Sequence, residues 1–302
     1  MKAFFWHKEK KTGEVLVYFN KGVLSLMMFK TLLAKMGKGG AQTDLILEKD
    51  RVHLGDQVKG KLLVRGGIID QEIHQIATDL MIHIRMEQQV HSYSIASFPF
   101  HSPCSVRPSE EITFPFSFRL PANLLVSGYT VSYQFVTRLE VGTGEKYTKT
   151  DPVIITPPRS FQPLLSALEQ LGFHEKYGSR SYDGKMQTFE FNPTTFLTKK
   201  VRELEMAVAI GKETVYMLVQ LPSLAACREI KLKREWFNQP ERLKNFLQAS
   251  LWEMVYYPEH CQQSKEMFYK KYCSLPGSIG AFAGEWSEHY EHPDWVINQK
   301  KA

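Results

Sequence analysis

The sequence predicts a mainly β protein of two units, and three observations carry that prediction. Phe114, Phe116, Phe118 and Leu120 share one parity, with Pro115, Ser117 and Arg119 between them. That alternation fits a strand with one face in a core and one in water. Between Thr43 and Pro157 similar short runs follow one another, separated by turn signals and by no helix-length pattern. The stiff break Thr156-Pro157-Pro158 is then followed by a helix and renewed alternation. Composition agrees: 19 Phe and 13 Tyr favour strands, and 43% hydrophobic with 23% charged residues describes an ordered globular chain.

The elements follow in chain order. Residues 1–27 hold one short apolar run and the Lys-rich cluster Lys8 to Lys11, and are expected to be a leader outside the fold. In residues 28–40, Phe29, Leu32, Leu33 and Met36 fall at i, i+3, i+4 and i+7, with Lys30, Lys35 and Lys38 opposite. This spacing predicts a short amphipathic helix stopped by Gly37, Gly39 and Gly40. Residues 41–157 form the first unit. Leu45 and Leu47 open a strand, Gly55 and Asp56 turn, and Val58, Gly60, Leu62 and Val64 alternate with lysines. Ile82, Ile84 and Met86 make another strand, and Val131 through Val141 is the longest run of one parity. Six or seven such strands describe a β-sandwich. Pro115 cannot complete a ladder in a central strand, so its strand is expected at an edge or a bulge.

Residues 158–255 form the second unit. Phe161, Leu164, Leu165, Leu168 and Leu171 share a helix face, with Pro163 in the first turn and Gly172 after the end. Strands follow at Phe189 and Phe191, at Leu204 to Ile210, at Val215 to Leu221 and at Ile230 and Leu232, with Gly211-Lys212 as a hairpin turn. Leu243, Phe246, Leu247, Leu251 and Met254 return to helical spacing behind Pro240. Residues 256–302 are predicted to be an irregular aromatic tail.

Charge and cysteine content narrow the function. Of the formal charge of +6, three units come from residues 1–27, where five Lys face two acids. The remainder is too dilute for a nucleic-acid interface. No apolar run approaches the ~20 residues of a membrane-spanning helix. Cys104, Cys227, Cys261 and Cys273 are scattered with no Cys-x-x-Cys pair, which fits free thiols in a reducing, cytoplasmic setting.

Several short motifs, in order and spacing, carry a resemblance. They are Phe29-Lys-Thr-Leu-Leu33, Thr43 through Asp50, Gly55, Val58, Gly60, Gly66-Gly67 and Gln71-Glu-Ile73. Pro108 through Pro121, Leu171-Gly-Phe173 and Gln187 through Thr194 continue the series. Together they resemble the bacterial sporulation-control family of arrestin-like proteins, the stage-zero M type. The resemblance implies two β-sandwich domains joined by a short linker. It also implies a cytoplasmic regulatory role in sporulation and in envelope or division processes, exercised through partners and without a reaction. Members of that family begin near the position of Met28. Residues 1–27 are therefore expected to be a misassigned start or an extension, with Met27 and Met28 as in-frame starts. The tail after Pro258 has no match in the family.

No motif satisfies an enzyme template. Gly37-Lys-Gly-Gly40 lacks the spacing and the Lys-Ser/Thr ending of a phosphate loop. His260, Cys261, Cys273, His289 and His292 are the residues able to ligate zinc, in an unusual frame that favours no metal. His53, His74, His83, His91 and His101 have no nucleophile partner. Glu110-Glu111 and the Glu48/Asp50 pair sit beside turns, as solvated charge does. No cofactor is expected. Partner binding is expected of protein partners, with Phe29, Leu32, Leu33 and Met36 as candidate contacts and open sheet edges as the alternative surface. Membrane contact through residues 29–38 is disfavoured, because four apolar side chains on so short a helix bind weakly. Self-association is left open. The rival reading is a small-molecule or carbohydrate-binding module, resting on Trp236, Trp252, Trp286 and Trp295 late in the chain.

Overall fold

The computed structural model describes residues 39–100, 104–142 and 144–272. In the first unit, strands β1 (Gln42–Leu47), β3 (Gln57–Arg65) and β7 (Glu111–Arg119) form one antiparallel sheet in the order β1-β3-β7. A second sheet runs β2 (Arg51–His53), β9 (Lys146–Thr156), β8 (Val131–Val141), β4 (Gln71–Met86), β5 (Gln89–Phe100), with β6 (Cys104–Val106) also pairing β4. The two sheets face each other across a phenylalanine core. Phe116 and Phe118 of β7 meet Phe135 of β8 edge-on at 6.1 and 6.2 Å, and Phe98 of β5 lies 4.7 Å from Phe118. The parity expected for this strand is observed: Phe116, Phe118 and Leu120 are buried and Phe114 partly so. Pro115 lies opposite Lys61 on β7, at the edge of its sheet, where the missing N–H costs no ladder bond.

β4 and β5 form a hairpin closed by Glu87 and Gln88, both left-handed at φ 47° and 68°. A two-residue turn of this hand suits Asn-Gly, whereas Glu and Gln clash at Cβ. Glu87→Asn combined with Gln88→Gly is expected to raise stability by about 1 kcal/mol. A urea midpoint that stays put or falls would count against it.

In the second unit, β10 (Phe173–Glu175), β12 (Gln187–Pro193), β13 (Leu204–Ile210), β14 (Thr214–Leu221) and β15 (Ala226–Lys233) make one antiparallel sheet in that order. The short β11 (Ser181–Tyr182) also pairs β12. Helices supply the covering layers. α1 (Gln162–Gln170) has Pro163 in its first turn, and Gly172 follows its end at φ 83°, a hand that glycine adopts freely. α1 packs beside α2 (Pro240–Tyr256), burying Leu164, Leu168, Leu243, Leu247, Leu251 and Met254 against the sheet. The opposite face carries a smaller cluster in which Met186, Ala207, Ala209 and Leu218 meet Phe268, Tyr269 and Tyr272 of α3 (Lys265–Tyr272). Part of the stretch expected to be an irregular tail is thus a docked helix. Its aromatic residues find a shallow seat over two alanines of β13, a fit invisible from the tail's own pattern. The mainly β, two-unit arrestin-like class read from the sequence is the one observed; the second unit, expected as a β-sandwich, is instead one sheet covered on its faces by helices. Of the amphipathic helix expected in residues 28–40, residues 28–38 lie outside the described residues.

A buried polar junction ties the units together. Leu124, Leu125 and Val126 are fully buried, and Val126 donates its N–H to Gln187 Oε1 at 2.9 Å. Gln187 Nε2 returns bonds to the carbonyls of Val126 and Arg180 at 2.8 and 2.7 Å. Tyr129 donates to the Ser179 carbonyl and Tyr182 to Thr130 Oγ1. Gly128 admits the Arg180 backbone where a Cβ would collide with it. Arg180, left-handed at φ 63°, is pinned by a bidentate pair with Glu175 at 2.6 and 2.8 Å. Beyond Thr156, His53 Nδ1 lies 2.8 Å from the Pro157 carbonyl and Arg159 grips Asp56.

Candidate functional site

β15 ends the second sheet, and its sequence is that of an edge: Ile230 and Leu232 alternate with Glu229, Lys231 and Lys233. Ile230 and Leu232 turn inward to the core shared with α2, while Cys227 and Glu229 face α3. The main chain follows the same parity. Arg234 N–H donates to the carbonyl of Glu213, just before the neighbouring strand, which directs residues 232, 230 and 228 toward β14 and residues 227, 229, 231 and 233 outward.

The chain covers the start of this outer edge with its own segment. Cys227 N–H donates to the Cys261 carbonyl at 2.6 Å, and Gln263 N–H donates to the Cys227 carbonyl at 2.9 Å, a parallel bridge. At the next outward donor the backbone is replaced by a side chain: Glu229 N–H donates to Gln263 Oε1. Among the described residues coverage then stops, where α3 carries the chain onto the other face. Among the described residues no partner meets the Glu229 carbonyl, the Lys231 N–H and carbonyl, or the Lys233 N–H. A cavity of about 320 Å³ opens beside this stretch, with Phe246 and Ser250 of α2 on one side and Ile230, Lys231 and Gln263 on the other.

The charges around it are largely basic. Lys231 and Lys271 approach Glu229 at 3.8 and 3.7 Å, and Tyr272 donates to it at 2.5 Å, so this carboxylate is already engaged. Burial, reinforced by Glu229, pushes the Tyr272 hydroxyl pKa up, and the group stays a donor. Lys231 and Lys233 are 61% and 68% exposed, the second 4.0 Å from Glu235. Arg228 is held by Glu253 of α2 at 2.6 Å. The arrangement can bind an extended chain, and burial raises the thiol pKa of the two cysteines beside it, Cys227 and Cys261.

The residues singled out from the sequence fall elsewhere. His260 is exposed and stacks on Tyr257 at 5.9 Å, whereas the Cys261 side chain is buried, so these neighbours do not converge. Cys273, His289 and His292 lie outside the described residues, as do Phe29, Leu32, Leu33 and Met36. Among the described residues no three His, Cys, Asp or Glu group as metal ligands, and no helix is long and apolar enough to cross a membrane. Glu110 accepts the Arg107 N–H and Glu111 pairs with Arg65, both as exposed turn and edge contacts. Trp236 packs edge-on to Phe246 beneath Arg242, Trp252 stacks on Tyr256 at the surface of α2, neither lines the cavity beside β15, and Trp286 and Trp295 lie outside the described residues. The open edge itself went unremarked in the sequence. Its signal was the alternation of Lys231 and Lys233 with Ile230 and Leu232.

Comparisons with known proteins agree with this architecture. The family model described as SpoOM protein matches residues 29–222. The sporulation-control protein spo0M of Bacillus subtilis (strain 168) is 29% identical over 231 residues, covering 72% of this chain and 89% of that protein. The crystal structure of Spo0M, sporulation control protein, from Bacillus subtilis superposes with a TM-score of 0.57 at 24% identity, covering 70% of this chain and 98% of that one. At that identity the superposition speaks to the fold.

Proposed function

Because this chain belongs to the SpoOM protein family, we propose that it is a cytoplasmic regulator of sporulation that works by protein–protein contact and not by catalysis. The observation that carries this reading is the open outer edge of β15 beside the α2 cavity. Its main-chain groups, without partners among the described residues, suit recognition of another chain. The relative named a sporulation-control protein supports the biological setting. The segment bearing Phe29, Leu32, Leu33 and Met36 is proposed as a second contact, to be tested by a Leu32→Ser, Leu33→Ser chain used as bait.

Deleting the gene in the spore-forming host is expected to change the yield of heat-resistant spores several-fold, with rescue by the wild-type chain. An unaltered yield through the whole sporulation course sinks the proposal.

A further inference from the structure

We propose that the open stretch of β15 takes up, as an added strand, an extended segment of a protein partner in which acidic and apolar residues alternate. This deepens the reading of the protein as one that acts through partners, and rests on it. The edge is already used in this way once, by the chain's own residues 261–263, and Gln263 ends that use by capping Glu229 N–H with its side chain. What remains open among the described residues runs from the Glu229 carbonyl to the Lys233 N–H. At ~3.3 Å per residue that is room for about four residues of a partner strand.

Side-chain parity sets the chemistry of the guest. Residues opposite Ile230 and Leu232 face α2, where Phe246 and Ser250 border the cavity, and apolar side chains of moderate size suit them. Residues opposite Lys231 and Lys233 stand on the other face, beside two exposed lysines and near Lys271. Two acids lie there also. Glu229 is engaged by Lys231, Lys271 and Tyr272, and Glu235 sits 4.0 Å from Lys233. From Ala226 to Glu235 the cations Arg228, Lys231, Lys233 and Arg234 still outnumber them. Acidic guest residues are therefore matched. A second copy of β15 matches less well: antiparallel pairing centred on Lys231 sets Lys231 against Lys231, and the Glu229 it places opposite each Lys233 is already engaged within its own chain.

The test uses the full chain and fluorescein-labelled, end-capped hexapeptides, read by fluorescence anisotropy. Glu-Val-Glu-Val-Glu-Val is expected to bind about tenfold or more tightly than both Lys-Val-Lys-Val-Lys-Val and the block peptide Glu-Glu-Glu-Val-Val-Val. Lys231→Glu with Lys233→Glu, at two exposed positions, is expected to weaken it by about tenfold. N-methylation of every second peptide amide, in both registers, is expected to abolish binding in the register that pairs with β15. Equal affinity for alternating and block acidic peptides overturns the proposal, as does indifference to the lysine reversal or to N-methylation in both registers. If the doubly reversed chain loses its fold by circular dichroism, the N-methylated peptides still decide the matter on the wild-type protein. Spore counts separate the two readings. A deletion that alters spore yield while no alternating peptide binds leaves the regulatory role standing and removes this inference. A deletion without effect on spores removes the role, whatever the peptide result.

Discussion

Gln187→Leu is expected to lower the stability of the protein by about 3 to 5 kcal/mol. The side chain is fully buried, and its amide does what a neighbouring strand would do for Val126, accepting the N–H and donating to the carbonyl. The same Nε2 also donates to the Arg180 carbonyl. Leucine fills most of the volume but leaves one donor and two acceptors buried without partners, each costing about 1 to 3 kcal/mol. Gln187→Glu is expected to be at least as damaging. It keeps the acceptor for Val126 N–H, yet sets a second carboxylate oxygen against two carbonyls and buries a charge. Urea unfolding of both variants measures the effect. A loss below about 1 kcal/mol for leucine would show that the junction relaxes around the gap, contrary to the rigid joint inferred from these bonds. Because the amide joins residues of both units, the loss should also raise protease sensitivity along residues 156–159, which a purely local packing defect would leave unchanged.

Raising the pH from 10 to 12 is expected to release α3 from the second sheet. Burial, with the Asp183 carboxylate adding to it, lifts the Tyr269 hydroxyl to about 12, and Tyr269 donates to Asp183 at 2.9 Å. An unfolded tyrosine ionises near pH ~10. The folded-state pKa is the higher one, so the stabilisation is complete below pH ~10 and is lost as pH climbs through the folded value, up to about 3 kcal/mol for this group. Tyr272 shifts in the same direction on the same helix. Tyrosinate absorbance should show a late-titrating fraction, and near-ultraviolet circular dichroism should change with it. Tyr269→Phe keeps the ring in the apolar cluster with Met186, Ala207, Ala209 and Leu218, so it should dock normally and lose part of the alkaline sensitivity. Full titration of all tyrosines near pH 10, with unchanged dichroism, contradicts the docked arrangement.

The elements most legible in the sequence were those whose pattern is imposed locally. β7 reads correctly because Phe116, Phe118 and Leu120 must all enter one core, and Pro115 restricts the strand to an edge. α1 and α2 read correctly because Pro163, Gly172 and Pro240 mark their ends and leucines at helical spacing mark one face. β5 was harder: Ser92, Ser94 and Ser97 interrupt its apolar content, and only its pairing with β4 makes it a strand. α3 was hidden because Phe268, Tyr269 and Tyr272 stand among lysines in a helix of two turns, too short to declare a face.

Periodicity, turn chemistry and chain breaks are properties of neighbours along the chain, and they carried the class of this protein: mainly β, in two units. Pairing between distant residues is not. That Gln187 would complete the hydrogen bonds of Val126, or that residues 261–263 would close the first half of the β15 edge and leave the second half open, depends on which strands lie side by side. A polar side chain at a strand start and a glutamine after a cysteine carry no mark of their partners, because hydrogen bonds act over a few ångströms in space irrespective of separation along the chain. The fold brings those groups within reach, and with them the joint and the candidate binding edge.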